Sequence, residues 1–337
     1  MTQFEHPLLD FGEGPYACTE SFAATIHFSE PLADFLTAAH GAGLTPVVIA
    51  RADAWWSFAA RFYCEAFGAR RLVWVSGGFM DLDSGARGGT VSEACAGPGE
   101  PWTGEWPSEP DALQAVVMAS AHHSASVEVE IGSFAEILAE GLAGCGISAW
   151  GAHEPAPLVW EKRRYTEYLR SQMPTIRTFL SGGGGVFQGV HSVSRTPTGV
   201  MEVVTATMPV APIGTPFPQV ASTATDVLSR VADSVSMPMI GSVCVMPGWR
   251  SGAYPSAPTP AIVPAAVLIG PRAVRALGVD LEALATEHRI SAAGRRRLPS
   301  VIAGFDGVSG TPWQQAKSLA EAFGESAIVG ALDGGGR

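Results

Sequence analysis

Apolar residues along this chain fall into two alternating periods, one of about 3.6 residues and one of about 2, the signatures of helix and strand. Residues 24–28 predict a strand. Pro31 then opens a helix whose apolar stripe is Leu32, Phe35, Leu36 and Ala39, closed by Gly41 and Gly43. Val47, Val48 and Ile49 predict a short buried strand. A second helix over 54–67 carries Trp55, Phe58, Ala59, Phe62 and Ala66 on one side and stops at Gly68. Residues 71–75 predict a third strand, ended by Ser76, Gly77 and Gly78. Strands alternating with helices in this order imply a parallel sheet with crossover helices.

The same order is predicted again further along. Residues 127–131 alternate apolar and acidic side chains as a strand, and Phe134, Ile137, Leu138 and Leu142 form a helix stripe ended by Gly144 and Gly146. Residues 147–150 predict a strand, Tyr165, Tyr168 and Leu169 a helix stopped by Pro174, and 176–180 a strand running into Ser181, Gly182 and Gly183. The matching Ser-Gly-Gly ends predict an internal duplication, 22–78 against 126–183. Between the copies, 85–110 is rich in Gly, Pro and Glu and carries Trp102 and Trp106, which predicts a long excursion. Residues 189–194 and 200–210 read as antiparallel strands about a turn at 196–199. A helix over 219–235, a strand over 240–245, a Pro-rich loop, a strand over 262–269 and a helix over 272–277 follow. The last helix runs over 312–323, with Thr311 before Pro312 as its start. The fold class expected is α/β: two related β-α-β-α-β halves with antiparallel hairpin additions and a small C-terminal helical piece. Its parts are residues 1–125, a first half with the acidic Trp-bearing excursion; 126–210, a second half with a hairpin; and 211–337, a C-terminal α/β region.

Composition narrows the functional classes. With 47% apolar and 16% charged residues, 39 Gly and 25 Pro among 337, the chain is neither disordered nor a coiled coil. No apolar run reaches the roughly 18 residues of a spanning helix. Residues 1–10 lack a basic stretch followed by an apolar one, so the expectation is a cytoplasmic protein without membrane insertion. Of the net charge of -11, residues 1–150 carry 19 acidic against 5 basic side chains, and 151–337 carry 13 against 16. An acidic front half repels phosphates and argues against nucleic acid as a partner. Arg295, Arg296 and Arg297 form the one basic cluster, read as a solvated loop in preference to a phosphate site. Cys18, Cys64, Cys95, Cys145 and Cys244 are widely spaced and never C-x-x-C, which disfavours a disulfide framework and structural zinc.

Four places invite chemistry. The tetraglycine 182–185 follows a strand but lacks a Gly-Lys-Ser/Thr continuation, so it reads as a hinge into a hairpin. His122 and His123 are adjacent and diverge on any regular element, and no H-x-H or H-x-x-x-H spacing occurs, so no metal is expected. Asp81 to Gly85 begins like a calcium loop but has Gly85 where a third ligand belongs, and reads as a β-turn. Trp150-Gly151-Ala152-His153-Glu154-Pro155 is the densest cluster of functional side chains, at the end of an expected strand, where α/β proteins place ligands. His153 beside Glu154 offers an acid/base pair. No G-x-S-x-G motif accompanies it, and no cofactor signature is present.

Two motifs carry a family resemblance: Trp150-Gly151-x-x-Glu154-Pro155 with Trp160 after it, and Ser194-Arg195-Thr196-x-x-Gly199. With the segment from Pro31 to Ile49, the strand over 71–75 and the turn over 79–85, the chain resembles an uncharacterised family of high-GC Gram-positive bacteria. That family is a domain of unknown function often encoded near type VII secretion genes. The turn departs from the family's pattern at Phe79, Met80 and Leu82, where tyrosines and a glycine are usual. The resemblance covers residues 25–280 and implies a context near secretion with no established activity. The function expected is a non-enzymatic accessory protein, an adaptor or chaperone with a protein partner, in which Trp102, Trp106, Trp150 and Arg195 serve binding. The alternative is an enzyme of unrecognised class using His153, Glu154 and Arg195 beside Trp150. Arg195 is expected to pair with Glu154 or Glu202.

Overall fold

In the computed structural model, which describes residues 4–97, 99, 106, 108–126, 128–278 and 280–324, the mixed α/β chain divides into two units. The first is Met1–Pro110 with Trp150–Leu158 and Ser251–Pro260; the second is Asp111–Ala149 with Val159–Arg250 and Ala261–Arg337.

The first unit begins β1 (Phe11–Glu13), β2 (Tyr16–Ser21), β3 (Thr25–Ile26), α1 (Glu30–Gly41), β4 (Thr45–Ala50) and β5 (Trp55–Trp56). It continues α2 (Phe58–Ala66), β6 (Arg70–Val75), β7 (Gly78–Asp81), β8 (Arg87–Gly88) and α3 (Val91–Ala96). Its main sheet has the order β1-β2-β4-β6-β7-β8, parallel across β2, β4 and β6 and antiparallel at both edges. The expected parallel β-α-β-α-β order is therefore present, but its first strand is β2. Residues 24–28 shrink to the two of β3, which pair with β5 in a separate small sheet. The helix expected from 54 starts at Phe58, because the Ser57 hydroxyl caps it by accepting from Ala60 N at 3.1 Å. That start leaves Trp55 and Trp56 extended. Ser29 caps α1 in the same way and turns Leu32, Phe35, Leu36 and Ala39 inward. Cys18, Val47, Ile49, Leu72, Val91 and Ala94 form the core on the sheet. Full burial of a side chain such as Ile49 or Leu72 contributes about 2 kcal/mol.

The second unit contains β9 (Ala112–Ser124), α4 (Ser133–Leu138), the first three residues of β10 (Ile147–Gly151), Val159 of β11 (Leu158–Val159) and α5 (Lys162–Ser171). These lead to β12 (Thr175–Gly182), β13 (Phe187–Thr196), β14 (Gly199–Pro212), α6 (Phe217–Ser234) and β15 (Pro238–Gly248). The short β16 (Tyr254–Pro255) belongs to the first unit, where it completes the sheet β16-β5-β3. Then come β17 (Val263–Ile269), α7 (Pro271–Leu277), α8 (Leu281–Glu287), β18 (Ile290–Arg295), β19 (Leu298–Gly304) and α9 (Pro312–Phe323). One ten-stranded sheet, β11-β10-β12-β13-β14-β9-β15-β17-β19-β18, runs through this unit. It is antiparallel from β12 to β18. The tetraglycine makes the tight turn from β12 into β13, with Gly183, Gly184 and Gly185 all at positive φ. Amphipathic α6 buries Val220, Ala224, Val227, Leu228 and Val231 and packs on β15, β17 and β19. Leu284, Phe305, Leu319 and Phe323 cluster with Val267 and Ile269.

The expected duplication finds no support. Residues 128–131 form no strand: Glu128 and Glu130 stay exposed and only Ile131 turns inward. β12 pairs antiparallel with β13, whereas β2, β4 and β6 are parallel. Boundaries near 125 and 210 fall within one sheet, because β14 lies hydrogen-bonded beside β9 over its whole length. Among the described residues no helix is long and apolar enough to cross a membrane.

Candidate functional site

The Trp150–Glu154 segment closes on the first unit as a clasp. Glu154 N donates to Phe28 O at 2.8 Å, and Phe28 N donates back to Glu154 Oε2 at 2.8 Å. The same oxygen accepts from the Ser57 hydroxyl, so one carboxylate ties the chain after β3 to the cap of α2. The Glu154 side chain is 6% exposed, and His27 Nδ1 stands 3.9 Å from its other oxygen. Hydrogen bonding to Glu154 raises the pKa of His27, against the opposing effect of burial. Phe28 in turn stacks on Tyr63 at 3.8 Å. His153 does not join the carboxylate: it tilts against Phe28 and lines a depression of about 730 Å³ with His6, Glu30 and Asp34. There His6 is held by Asp34 at 3.2 Å. Trp150 is buried at the end of β10.

A second polar cluster, which sequence spacing did not announce, lies inside the second unit. Glu202 on β14 is 1% exposed. His191 Nε2 from β13 stands 3.0 Å from its Oε1, and His123 Nε2 from β9 stands 2.7 Å from its Oε2. Gly132 N donates to Oε1 at 3.1 Å. On the far side of His191, Nδ1 lies 2.5 Å from the Tyr165 hydroxyl, which lies 2.6 Å from Thr178 Oγ1. Nδ1 accepts from Tyr165 and the tyrosine oxygen accepts from Thr178, while His191 Nε2 faces the carboxylate without completing a hydrogen bond to it. Burial alone would raise the Glu202 pKa, but the two imidazoles outweigh it and hold the carboxyl down to about 2. Trp160 roofs the cluster: its ring packs on Tyr165 at 4.8 Å and its indole N–H donates to Glu136 at 2.9 Å. Gly132 sits at φ +108°, where a Cβ would come within 2.7 Å of the Trp160 ring. Tyr165, Thr178 and His191 are wholly buried, and the His123 side chain is 14% exposed.

His122 and His123 diverge as their adjacency requires. His122 Nε2 meets Thr196 and Thr198 at 3.2 and 3.1 Å, while His123 meets Glu202. Among the described residues no group of three or more His, Cys, Asp or Glu is placed to hold a metal ion. Asp81 Oδ1 accepts from Asp83 N and Ser84 N, which makes the turn expected there. Burial pushes the Cys64 thiol up to about 12, away from the thiolate form.

Arg195 belongs to the second unit, exposed at the β13–β14 turn, with its N–H on Pro174 O at 2.8 Å. Among the described residues Arg195 makes no ion pair with the carboxylates expected for it: Glu202 is held by two histidines, and Glu154 by Phe28 N and Ser57. Trp106 is tied down within the first unit, its indole N–H donating to Pro258 O at 3.2 Å. Trp102 lies outside the described residues.

The central strands of the large sheet carry a different kind of surface. Met118 on β9 lies opposite Thr205 of β14 and Ser242 of β15, and Ser120 lies opposite Val203 and Ile240. Met118 is 49% exposed and Ile240 39%. These side chains share one face, and none of them is charged.

A family model described as "DUF6177, C-terminal domain" matches residues 114–325. No curated protein matches the chain. Among solved structures, the Pseudomonas aeruginosa T6SS protein PA0821 is similar at 9% identity and a TM-score of 0.37, over 63% of this chain and 77% of that one.

Two outcomes follow from the clusters. Glu154→Ala strips partners from Phe28 N and the Ser57 hydroxyl and is expected to lower stability by about 1–3 kcal/mol in chemical denaturation; an unchanged midpoint would contradict the clasp. Glu202 has a folded-state pKa below its ordinary 4.5, so its stabilisation is complete above that value and is lost as pH falls toward 2. The shift corresponds to about 3 kcal/mol. Melting temperature measured against pH is therefore expected to fall steeply in this window for the natural chain and less steeply for Glu202→Gln. Parallel curves would remove the histidine contacts of Glu202 from the account.

Proposed function

The chain belongs to the DUF6177 family, and from that premise we propose that it is a non-enzymatic accessory protein, an adaptor or chaperone-like binder of another protein. The observation that carries this reading is the uncharged open face on β9, β14 and β15, where Val203, Met118 and Ile240 stand together on central strands of the sheet. Apolar side chains left uncovered in the middle of a sheet mark a surface that another molecule covers. The absence of charge there suits a partner that presents an apolar helix or strand face. Glu154, one of the groups of the alternative catalytic set, is engaged by Phe28 N and the Ser57 hydroxyl, which supports the same reading. The resemblance of the Trp150 and Arg195 motifs extends the proposal to a partner within type VII secretion, either a component of the machinery or a helical substrate.

The test is purification from the native host after mild cross-linking, with the natural chain and a Met118→Asp/Ile240→Asp variant. The expected result is a protein partner recovered in stoichiometric amount with the natural chain and lost with the variant, at an unchanged circular dichroism spectrum. An identical set of co-purifying proteins for both would overturn the assignment of this face.

A further inference from the structure

A cavity of about 220 Å³ in the second unit is walled by three elements that are separate in sequence. The end of α6 and the start of β15 supply Val235, Met237 and Pro238; α7 supplies Arg272 and Arg275; the β18–β19 hairpin supplies Arg295 and Leu298. Two glycines let these walls approach. A Cβ on Gly270, just before α7, would lie 2.0 Å from Pro238 O. Gly294, just before Arg295, has φ +83° and would place a Cβ 2.8 Å from Ala232 O. Gly294 N also donates to Asp233 Oδ1 at 2.8 Å, which fastens the hairpin to α6 and occupies the acid on that turn of the helix.

The charge around the cavity is unbalanced. No carboxylate lines it. Among the described residues Arg272, Arg275 and Arg295 make no ion pair, whereas Arg230 is matched by Glu140 and Arg289 by Asp306. Arg296 and Arg297 follow in the same turn and add to the field. The field reaches the sheet: the pKa of His122 is lowered first by burial and then by Arg272 and His123.

Guanidinium groups present planar forks of N–H donors that match the oxygens of a phosphate, and three of them offer more donors than a single carboxylate can accept. The remaining wall, Val235, Met237, Pro238 and Leu298, is apolar. Whole-ligand pockets usually measure about 300–1,000 Å³, so this one holds a compact head group and is too small for a dinucleotide. We propose that the cavity binds a small organic phosphate, its phosphate on Arg272, Arg275 and Arg295 and its apolar portion against Leu298 and Met237. The proposal does not depend on the assignment of the sheet face to a protein partner.

Calorimetric titration of the full chain with phenyl phosphate and with sodium phosphate, at fixed low ionic strength, tests the proposal. Phenyl phosphate binds more tightly than inorganic phosphate. Arg272→Gln/Arg275→Gln weakens both by about tenfold or more, while Arg296→Gln/Arg297→Gln, outside the cavity, changes them by about twofold or less. Leu298→Ser weakens phenyl phosphate and leaves inorganic phosphate unchanged. Melting temperatures within the range of the natural chain establish that each variant is folded. Equal losses in the two arginine pairs would reveal diffuse surface charge and overturn the site. So would the absence of binding by the natural chain, or tighter binding of a single-stranded oligonucleotide that displaces phenyl phosphate.

Discussion

A carboxylate removed from water must be paired from every side, and Glu202 imposes that constraint on the second unit. Its two oxygens draw in one histidine each from β13 and β9, a backbone N–H from the turn before α4, and through His191 a tyrosine of α5 and a threonine of β12. Each of these groups would be costly to bury alone. Together they fix the register of three adjacent strands and the seat of one helix, because slipping a strand by one residue would turn His191 or Glu202 to the other face. The cluster thus specifies one arrangement of the central strands of the sheet.

The first unit solves a similar problem with a single side chain. Glu154 returns from a distant part of the sequence to bind Phe28 N and Ser57, and so joins a loop, the chain after β3 and a helix cap. Both carboxylates illustrate why a conspicuous polar residue in a sequence is an ambiguous sign of catalysis: the same hydrogen-bonding capacity that serves a substrate also serves the chain itself. What remains exposed is of two other kinds, the uncharged face around Met118 and the arginine-rimmed cavity beside α7.

Much of the local structure was legible. The stripe of Leu32, Phe35, Leu36 and Ala39, the Thr196–Gly199 turn and the limits of α9 at Pro312 and Phe323 emerge as their patterns imply, because cap, proline and glycine signals act within a few residues. The longest interior strand pair was half hidden: β9 reads Ala-Leu-Gln-Ala-Val-Val-Met-Ala-Ser-Ala-His-His-Ser, with too many small and polar residues for a propensity argument. Its strand character comes from neighbours on both sides, β14 and β15. The expected repeat is not confirmed, for a related reason. A helix stripe followed by Ser-Gly-Gly is local, whereas parallel or antiparallel pairing is decided by which distant strand lies alongside. The Glu202 cluster joins residues from 123 to 202, and no spacing rule connects them.

The central claim is that this buried chain of polar groups is a closed structural anchor rather than a site that opens to solvent. Native-state hydrogen exchange of the full chain tests it most directly. The account predicts that amides of β9, β13 and β14 around His123, His191 and Glu202 exchange only by global unfolding, with the slowest rates in the second unit. Exchange of these amides by local opening, at rates comparable to those of the surface turns, would contradict it.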